Sequence, residues 1–203
     1  MAQLSPILVL DRGDLSSLCA TLLDPNPERL ILWHVRETDS AANRRLQACQ
    51  AKAKAMGVKR LITSEPLELG LKGMTPPAEL YQAMVLIQGA AIARQLKCDR
   101  IIWPRQVGPD FERMGELVDR ASQIADLASG GKEDKKIVID LPLVDLTDEY
   151  MVDLIEEAAG PLELFWPCDE GGAAPCGECR SCQRWQGAFE AMGVAWPWVG
   201  AMA

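Results

Sequence analysis

The sequence predicts an α/β fold: a five-stranded parallel sheet with helices on both faces, followed by a small C-terminal lobe that binds a metal. Short apolar runs alternate with longer segments of helical periodicity, which requires right-handed crossovers and a parallel sheet. The 203 residues are 48% hydrophobic and 25% charged, enough for one such domain with a full core. Four cysteines then fall close together near the C-terminal end, which indicates the lobe.

The predicted strands and helices follow one another along the chain. Apolar runs predict strands at residues 6–10, 29–35, 59–63, 99–103 and 136–140. Helices are expected from the polar turn at 11–17 to residue 23, and then over 40–56, 78–96, 110–128 and 147–158. Leu46, Cys49 and Ala53 share one face of the second helix, Gly57 ends it, and Thr147 is the expected cap of the last one. We expect the α/β domain at 1–164 and the metal-binding lobe at 165–203.

The cysteine cluster has the spacing C-x7-C-x2-C-x2-C. Its members are Cys168, Cys176, Cys179 and Cys182. Two interlocked C-x-x-C turns allow backbone N–H groups to point at thiolate sulfurs, and Gly177 permits the tight turn. Four thiolates satisfy the tetrahedral preference of zinc and leave no open position, so a structural zinc site is predicted. An iron–sulfur cluster and a set of disulfides remain as alternatives.

The overall composition limits the possible partners and compartments. Cys19, Cys49 and Cys98 lie in apolar periodic segments, and no signal peptide precedes them, which predicts inert core thiols in a reducing cytoplasm. The net charge of −8 argues against general nucleic-acid binding. No apolar run approaches the ~20 residues that span a bilayer, so no membrane partner is expected.

The turn after the first strand is the predicted ligand site, because parallel sheets bind ligands at the carboxyl ends of their strands. That turn is Asp11-Arg-Gly-Asp-Leu-Ser-Ser17. His34, the single histidine, lies at the corresponding end of the second strand. A structural role for His34 is favoured, with a general base as the alternative.

Several segments together resemble one protein family. They are the cysteine cluster followed by Arg184, the stretches Gly187-Ala-Phe189 and Gly193-Val194, the stretch Leu141-Pro-Leu-Val-Asp-Leu-Thr147, and the pair Pro109-Asp110. In this order they resemble the 7-cyano-7-deazaguanine synthase (QueC) family of the PP-loop ATP pyrophosphatase superfamily. The resemblance covers nearly the whole chain and is strongest over the last sixty residues.

The resemblance implies a HUP-type domain (adenine nucleotide alpha hydrolase-like), a structural zinc lobe beside the site, and a homodimer. It also implies that ATP with magnesium activates the carboxylate of 7-carboxy-7-deazaguanine by adenylation. Ammonia then converts the activated acid through an amide to a nitrile, a step in queuosine synthesis. A deazapurine or nucleotide would therefore be the small-molecule partner. On this basis Gly13, Ser16 and Ser17 would contact phosphate, and Pro109 and Asp110 would lie near the substrate.

The chain departs from that family at the phosphate turn. The family has Ser-Gly-Gly-x-Asp-Ser, whose glycines let backbone N–H groups approach the pyrophosphate. Here only Gly13 supplies that freedom, and Asp11 and Asp14 would place negative charge beside a polyphosphate. Asp14 is favoured as a helix cap over a magnesium ligand. Two hypotheses follow: a divergent ATP-dependent ligase, and an inactive pseudoenzyme that binds a protein partner or a small ligand through its fold and zinc lobe.

Overall fold

The computed structural model describes residues 4–67, 77–108, 110–130 and 136–198. The strands are β1 (Ile7–Leu10), β2 (Leu30–Val35), β3 (Arg60–Ser64), β4 (Arg100–Ile102) and β5 (Val138–Asp140). The helices are α1 (Leu15–Leu22), α2 (Ala42–Ala55), α3 (Ala78–Gln95), α4 (Phe111–Ser129), α5 (Asp148–Glu157) and α6 (Arg180–Met192), and a short 3₁₀ turn (Pro27–Arg29) precedes β2. The predicted elements through α5 are present with small shifts of their ends.

The five strands form one parallel sheet in the order β3-β2-β1-β4-β5. In register, Ile7 of β1 lies opposite Leu30 on one side and Arg100 on the other. From β1 the chain adds β2 and β3 on one side of the sheet, and it then adds β4 and β5 on the other side. The direction of winding therefore reverses at the position between the neighbouring strands β1 and β4. A crevice at the carboxyl ends of these strands is the expected ligand position in such a sheet.

Each face of the sheet carries its own hydrophobic core. Ile7 and Val9 of β1 point to one face, while Leu8 and Leu10 point to the other, as the two-residue period of a strand requires. The first face packs against α1, α2, α5 and α6, and the second against α3 and the inward side of α4. All four β1 residues are buried, which explains their continuous apolar run. The predicted five-stranded sheet with helices on both faces is therefore confirmed.

The C-terminal segment packs on the first face rather than beside it. Phe165, Trp185 and Phe189 belong to the same buried cluster as Leu18 of α1, and the ring of Phe165 lies 6.1 Å from those of Trp185 and Phe189. Helix α6 was not predicted, although its buried positions have helical spacing. The division at residue 164 stays a prediction, since the hydrophobic core continues across it.

Two of the predicted caps are present. Asp14 accepts a hydrogen bond from the Ser17 amide at 2.9 Å at the start of α1, as the cap interpretation predicts. Thr147 accepts one from the Tyr150 amide at 3.4 Å at the start of α5. Among the residues that the structure describes, no helix combines the length and apolarity needed to cross a membrane.

Candidate ligand cavity and metal centre

A cavity of about 510 Å³ opens at the carboxyl ends of β1, β2 and β4, at the point where the sheet reverses its winding. This volume lies within the range of roughly 300–1,000 Å³ that is usual for small-molecule sites. Three aromatic side chains contribute to its walls: Trp33, Tyr81 and Trp103. Its charged lining side chains are Asp11, Arg12, Asp14, Glu37, Arg105 and Arg184.

A buried ion pair lies beneath the turn that follows β1. The ammonium of Lys52, on α2, is 2.7 Å from Oδ1 of Asp11, and both side chains are 0% exposed. The same Oδ1 accepts the amide of Gly13 at 2.8 Å. Lys52 therefore neutralises the charge of Asp11 inside the protein, a compensation that the sequence did not reveal.

His34 and Cys49 complete this buried layer. Nδ1 of His34 lies 2.8 Å from the carbonyl oxygen of Asp11 and 3.4 Å from Sγ of Cys49. His34 is 1% exposed and is absent from the cavity lining, which supports its structural role. Burial raises the pKa of the Cys49 thiol well above its ordinary value, and it raises the pKa of Cys19 and of Cys98 to about 11. All three are buried, unreactive thiols, as the sequence predicts.

Three backbone N–H groups of the turn, those of Arg12, Gly13 and Ser17, donate to side chains of the turn itself. The amide of Arg12 donates to Oγ of Ser17 at 3.0 Å. The amide of Gly13 donates to Asp11, and that of Ser17 donates to Asp14. In a phosphate-binding loop such donors point at the ligand. Here two side-chain carboxylates and a hydroxyl accept them.

Gly13 has a packing reason to be glycine. Its φ is +73°, and a Cβ atom would lie 2.4 Å from the backbone oxygen of Arg45 on α2. Its carbonyl accepts the amide of Trp166 at 2.8 Å. Of the three predicted phosphate contacts, Ser16 lines the cavity, whereas Gly13 and Ser17 do not. Their contact with phosphate stays a prediction.

Two of the cavity arginines have carboxylate partners. Nη2 of Arg12 lies 2.8 Å from Oε1 of Glu37. Arg184, on α6, contacts both oxygens of Asp148 at 2.5 Å and donates to Oε1 of Gln106 at 2.9 Å. Gln106 in turn donates to Asp148 and to the carbonyl of Leu146, each at 3.0 Å. This cluster joins the segment after β4 to α5 and α6.

Arg105 differs from the other two. It follows β4, lines the cavity and is half-buried, and its Nε is buried without a hydrogen-bond partner. Among the described residues no carboxylate forms an ion pair with it. Burial, followed by the charges of Arg113, Arg12 and Arg184, lowers the pKa of Arg105. The cavity therefore contains one cation whose charge is not directly paired.

Of the two predicted substrate residues, one is not in the lining of the cavity and the other lies outside the described part of the chain. Asp110 accepts the amide of Arg113 at 3.0 Å as the cap of α4, and it lines a neighbouring surface groove rather than the cavity. Pro109 lies outside the described residues. Their role near a substrate stays a prediction.

Sequence reasoning did not identify Lys52, Arg105 and Gln106. For Arg105 and Gln106 a signal was available, because they directly follow a strand that borders the position where winding reverses. Lys52 had no such signal. An apparently ordinary helical lysine becomes buried only because α2 packs beneath the turn.

The four clustered cysteines form a group that could bind a metal. Their sulfur atoms all lie within 4.8 Å of one another. The amide of Cys179 points at Sγ of Cys176 at 3.3 Å, and that of Cys182 points at Sγ of Cys179 at 3.4 Å, while Gly177 has a φ of +76°. The predicted pair of interlocked turns is confirmed. Cys179 also caps α6, so the cluster determines where this helix begins.

Backbone amides prepare one of these thiols for a metal. The amides of Cys179 and Glu178 lower the pKa of Cys176 to about 7, because they stabilise its thiolate. A thiolate rather than a thiol is the form that binds metal ions.

The segment that carries the four cysteines is attached to the turn beneath the cavity. Besides the Trp166–Gly13 hydrogen bond, Nε of Arg44 donates to the carbonyl of Gly172 at 2.7 Å. The guanidinium of Arg44 also lies 5.6 Å from the ring centre of Trp166. At Gly171 a Cβ atom would lie 2.0 Å from the oxygen of Ser40, so only glycine allows this close contact.

Comparison with solved structures supports the fold. The chain resembles the U34-tRNA thiolase NcsA from Methanococcus maripaludis, which is described with its [4Fe-4S] cluster. The TM-score is 0.54 with 14% identity, and the match covers 95% of this chain and 73% of the thiolase. Identity this low shows the fold alone, and it confirms the predicted HUP-type α/β architecture.

Curated relatives share part of the sequence. 7-Cyano-7-deazaguanine synthase from Methanosarcina barkeri is 32% identical over 140 residues, which cover 62% of this chain and 59% of the relative. The enzyme of the same name from Methanosarcina mazei is 32% identical over 117 residues, covering 56% and 48%. That from Prochlorococcus marinus strain MIT 9312 is 36% identical over 69 residues, covering 34% and 31%. The matches therefore span from about a third to three fifths of these relatives.

The family model described as "Queuosine biosynthesis protein QueC" matches residues 85–193. The matched part contains most of α3 and everything from β4 to α6, including the cysteine cluster. The turn after β1 lies outside it. Because the match covers more than half of the chain, this protein belongs to the QueC family.

Proposed function

We propose that this protein binds a deazapurine-type acid in the cavity, without the ATP cleavage that its family resemblance implies. The observation that carries this proposal is the occupancy of the turn. The amides of Arg12, Gly13 and Ser17 already donate to side chains of the turn itself. A pyrophosphate would have to displace two carboxylates and a hydroxyl from these donors before it could bind to them.

The cavity suits a planar ligand with polar edges. Trp33, Tyr81 and Trp103 provide flat apolar walls, and Gln82 provides an amide group that can bond to ring nitrogens and exocyclic groups. Small-molecule sites commonly combine such walls with a few placed polar groups. Membership of the QueC family supports a deazapurine as the class of ligand.

A second candidate is ATP-dependent conversion of 7-carboxy-7-deazaguanine to the nitrile, as the family resemblance implies; the curated relatives are named 7-cyano-7-deazaguanine synthase. One observation favours it. Arg12, Ser16 and Arg105 line the cavity, and their side chains can contact phosphate oxygens without help from the occupied amides. In that case side chains would replace the backbone cradle for ATP and magnesium.

Titration and product analysis together separate the two candidates. A 7-deazapurine carboxylic acid is titrated calorimetrically, and the protein is then incubated with this acid, ATP, magnesium and ammonia. We expect micromolar binding of the acid and no release of AMP. Release of AMP and nitrile at ordinary enzyme rates would replace the first proposal with the second. Failure to bind the acid in any condition would contradict both.

We propose that the four cysteines hold zinc. A tetrahedral zinc ion with Zn–S bonds of about 2.3 Å separates its sulfur ligands by about 3.8 Å. Sγ of Cys168 lies 3.5 Å from that of Cys176 and 3.8 Å from that of Cys179. A four-iron cluster binds each cysteine through a different iron and holds the sulfurs further apart. Elemental analysis of anaerobically purified protein tests the assignment: about one zinc per chain is expected, and iron with sulfide would contradict it.

The homodimer and the boundary at residue 164 are also proposals. Light scattering during size-exclusion chromatography measures the first, and a mass of one chain at micromolar concentration would contradict it. Limited proteolysis tests the second. Cleavage near residue 164 that leaves two separately stable pieces would support it, whereas joint unfolding of both pieces would contradict it.

A further inference from the structure

The guanidinium of Arg105 stands out among the cations of the cavity. Its Nε is buried and has no acceptor, and no carboxylate among the described residues is paired with it. Buried donors without acceptors are rare in proteins and call for an explanation. Arginine stays protonated in proteins, so this group carries a full charge into the cavity.

The surroundings of Arg105 favour an added anion. Arg12 and Arg184 line the same cavity, but Glu37 and Asp148 respectively compensate their charges. The like charges of Arg113, Arg12 and Arg184 act on Arg105, and the carboxylate of Asp14 opposes them. Asp14 itself is committed to the amide and hydroxyl of Ser17 at 2.9 and 2.6 Å. An anionic ligand group in the cavity would relieve this imbalance of charge.

We propose that Arg105 binds the anionic group of the ligand and determines specificity for acids over their neutral analogues. A guanidinium offers two parallel N–H donors that match the two oxygens of a carboxylate or a phosphate. The planar part of the ligand then lies against the aromatic walls of the cavity. This inference rests on the proposed function, because it assigns a residue to the same cavity.

The test compares Arg105→Gln with Arg120→Gln. Arg120 lies exposed on α4, paired with Glu116, so its substitution changes the net charge equally without touching the cavity. Three probes are titrated calorimetrically: a 7-deazapurine carboxylic acid, the neutral 7-deazapurine that lacks the carboxyl group, and inorganic phosphate. Thermal unfolding of each variant shows whether the fold is retained.

Arg105→Gln is expected to weaken binding of the acid at least tenfold and to change binding of the neutral compound by less than twofold. Arg120→Gln should leave both affinities within twofold of the parent protein. If Arg105→Gln lowers the melting temperature strongly, Arg105→Lys takes its place. That variant keeps the charge but loses the bidentate geometry, and a severalfold loss confined to the anionic probes is expected.

The outcomes separate this inference from the proposed function. Equal losses for the acid and the neutral compound, or no loss for either, would overturn the role of Arg105. If neither deazapurine binds but phosphate binds and depends on Arg105, the proposed function fails while the anion site stands. If no probe shows binding that depends on Arg105, the inference is overturned.

Discussion

The buried pair of Lys52 and Asp11 makes a quantitative prediction. In the variant Lys52→Met the apolar stem of the side chain is retained, but the ammonium is lost. Asp11 would then keep one hydrogen bond, from the Gly13 amide at 2.8 Å, and its Oδ2 is already buried without a partner. Removing one member of a buried ion pair costs about 3–5 kcal/mol, because a charge remains uncompensated in a poorly solvated place.

That cost is a large share of the total. Domains are typically stable by about 5–15 kcal/mol, so the variant should lose about a fifth or more of its free energy of unfolding. With an m-value of about 2 kcal/mol/M, a loss of 4 kcal/mol moves the urea midpoint by about 2 M. Equilibrium unfolding in urea, followed by tryptophan fluorescence and far-UV circular dichroism, measures this shift.

Two further variants make the test specific. Lys54→Met lies exposed on the same helix and should change stability by no more than about 0.5 kcal/mol. The double variant Asp11→Asn/Lys52→Met removes both charges while an amide oxygen still accepts from Gly13. It should be at least about 1 kcal/mol more stable than Lys52→Met alone. The reasoning would be refuted if Lys52→Met unfolded at the same urea concentration as Lys54→Met. It would also be refuted if the double variant lost as much free energy of unfolding as the two single variants together.

Three other predictions concern pH, affinity and metal. Burial raises the pKa of Asp14, but Arg12 and the hydrogen bonds from Ser17 outweigh it and leave the pKa lowered. Asp14 therefore stabilises the fold above its unfolded pKa of about 3.9, and this stabilisation is lost as the pH falls through the folded value. Asp14→Asn keeps the cap and should lower the free energy of unfolding by about 0.5–1 kcal/mol at pH 7, as measured by urea unfolding. If the variant were still less stable than the parent protein by the same amount at pH 3, the prediction would be contradicted. Asp148→Asn frees Arg184 and should tighten phosphate binding about two- to fivefold in titrations at low salt. Glu149→Gln makes the same charge change on the same helix and should have a smaller effect. Equal effects of the two substitutions on phosphate affinity would refute this prediction. Cys179→Ser should lower the metal content found by elemental analysis and speed hydrogen exchange in α6, whereas Cys98→Ser should leave the metal content unchanged. An unchanged metal content in Cys179→Ser would argue against metal binding by the four cysteines.

Local sequence signals determined most of the fold. Apolar runs alternating with helical periodicity predicted the parallel sheet, because each strand and helix is a local pattern that buries one face. The side-chain caps at Asp14 and Thr147 could be predicted for the same reason, since each side chain accepts a hydrogen bond from an amide only three residues away. The cysteine spacing likewise predicted the interlocked turns, because a C-x-x-C turn is local.

The tertiary structure alone decided the electrostatics of the site. Asp11 and Lys52 are 41 residues apart, and Gln106 meets Arg184 across 78, so no local pattern reports their contact. The same holds for Arg105, which is distinctive only because, within the described part of the chain, Arg12 and Arg184 in the same cavity have carboxylate partners and Arg105 has none. The sequence by itself could determine which residues form strands, caps and the cysteine group that could bind a metal. Which charges are neutralised, and which are left for a ligand, depends on how distant segments pack together, because Coulomb interactions act through space and not along the chain.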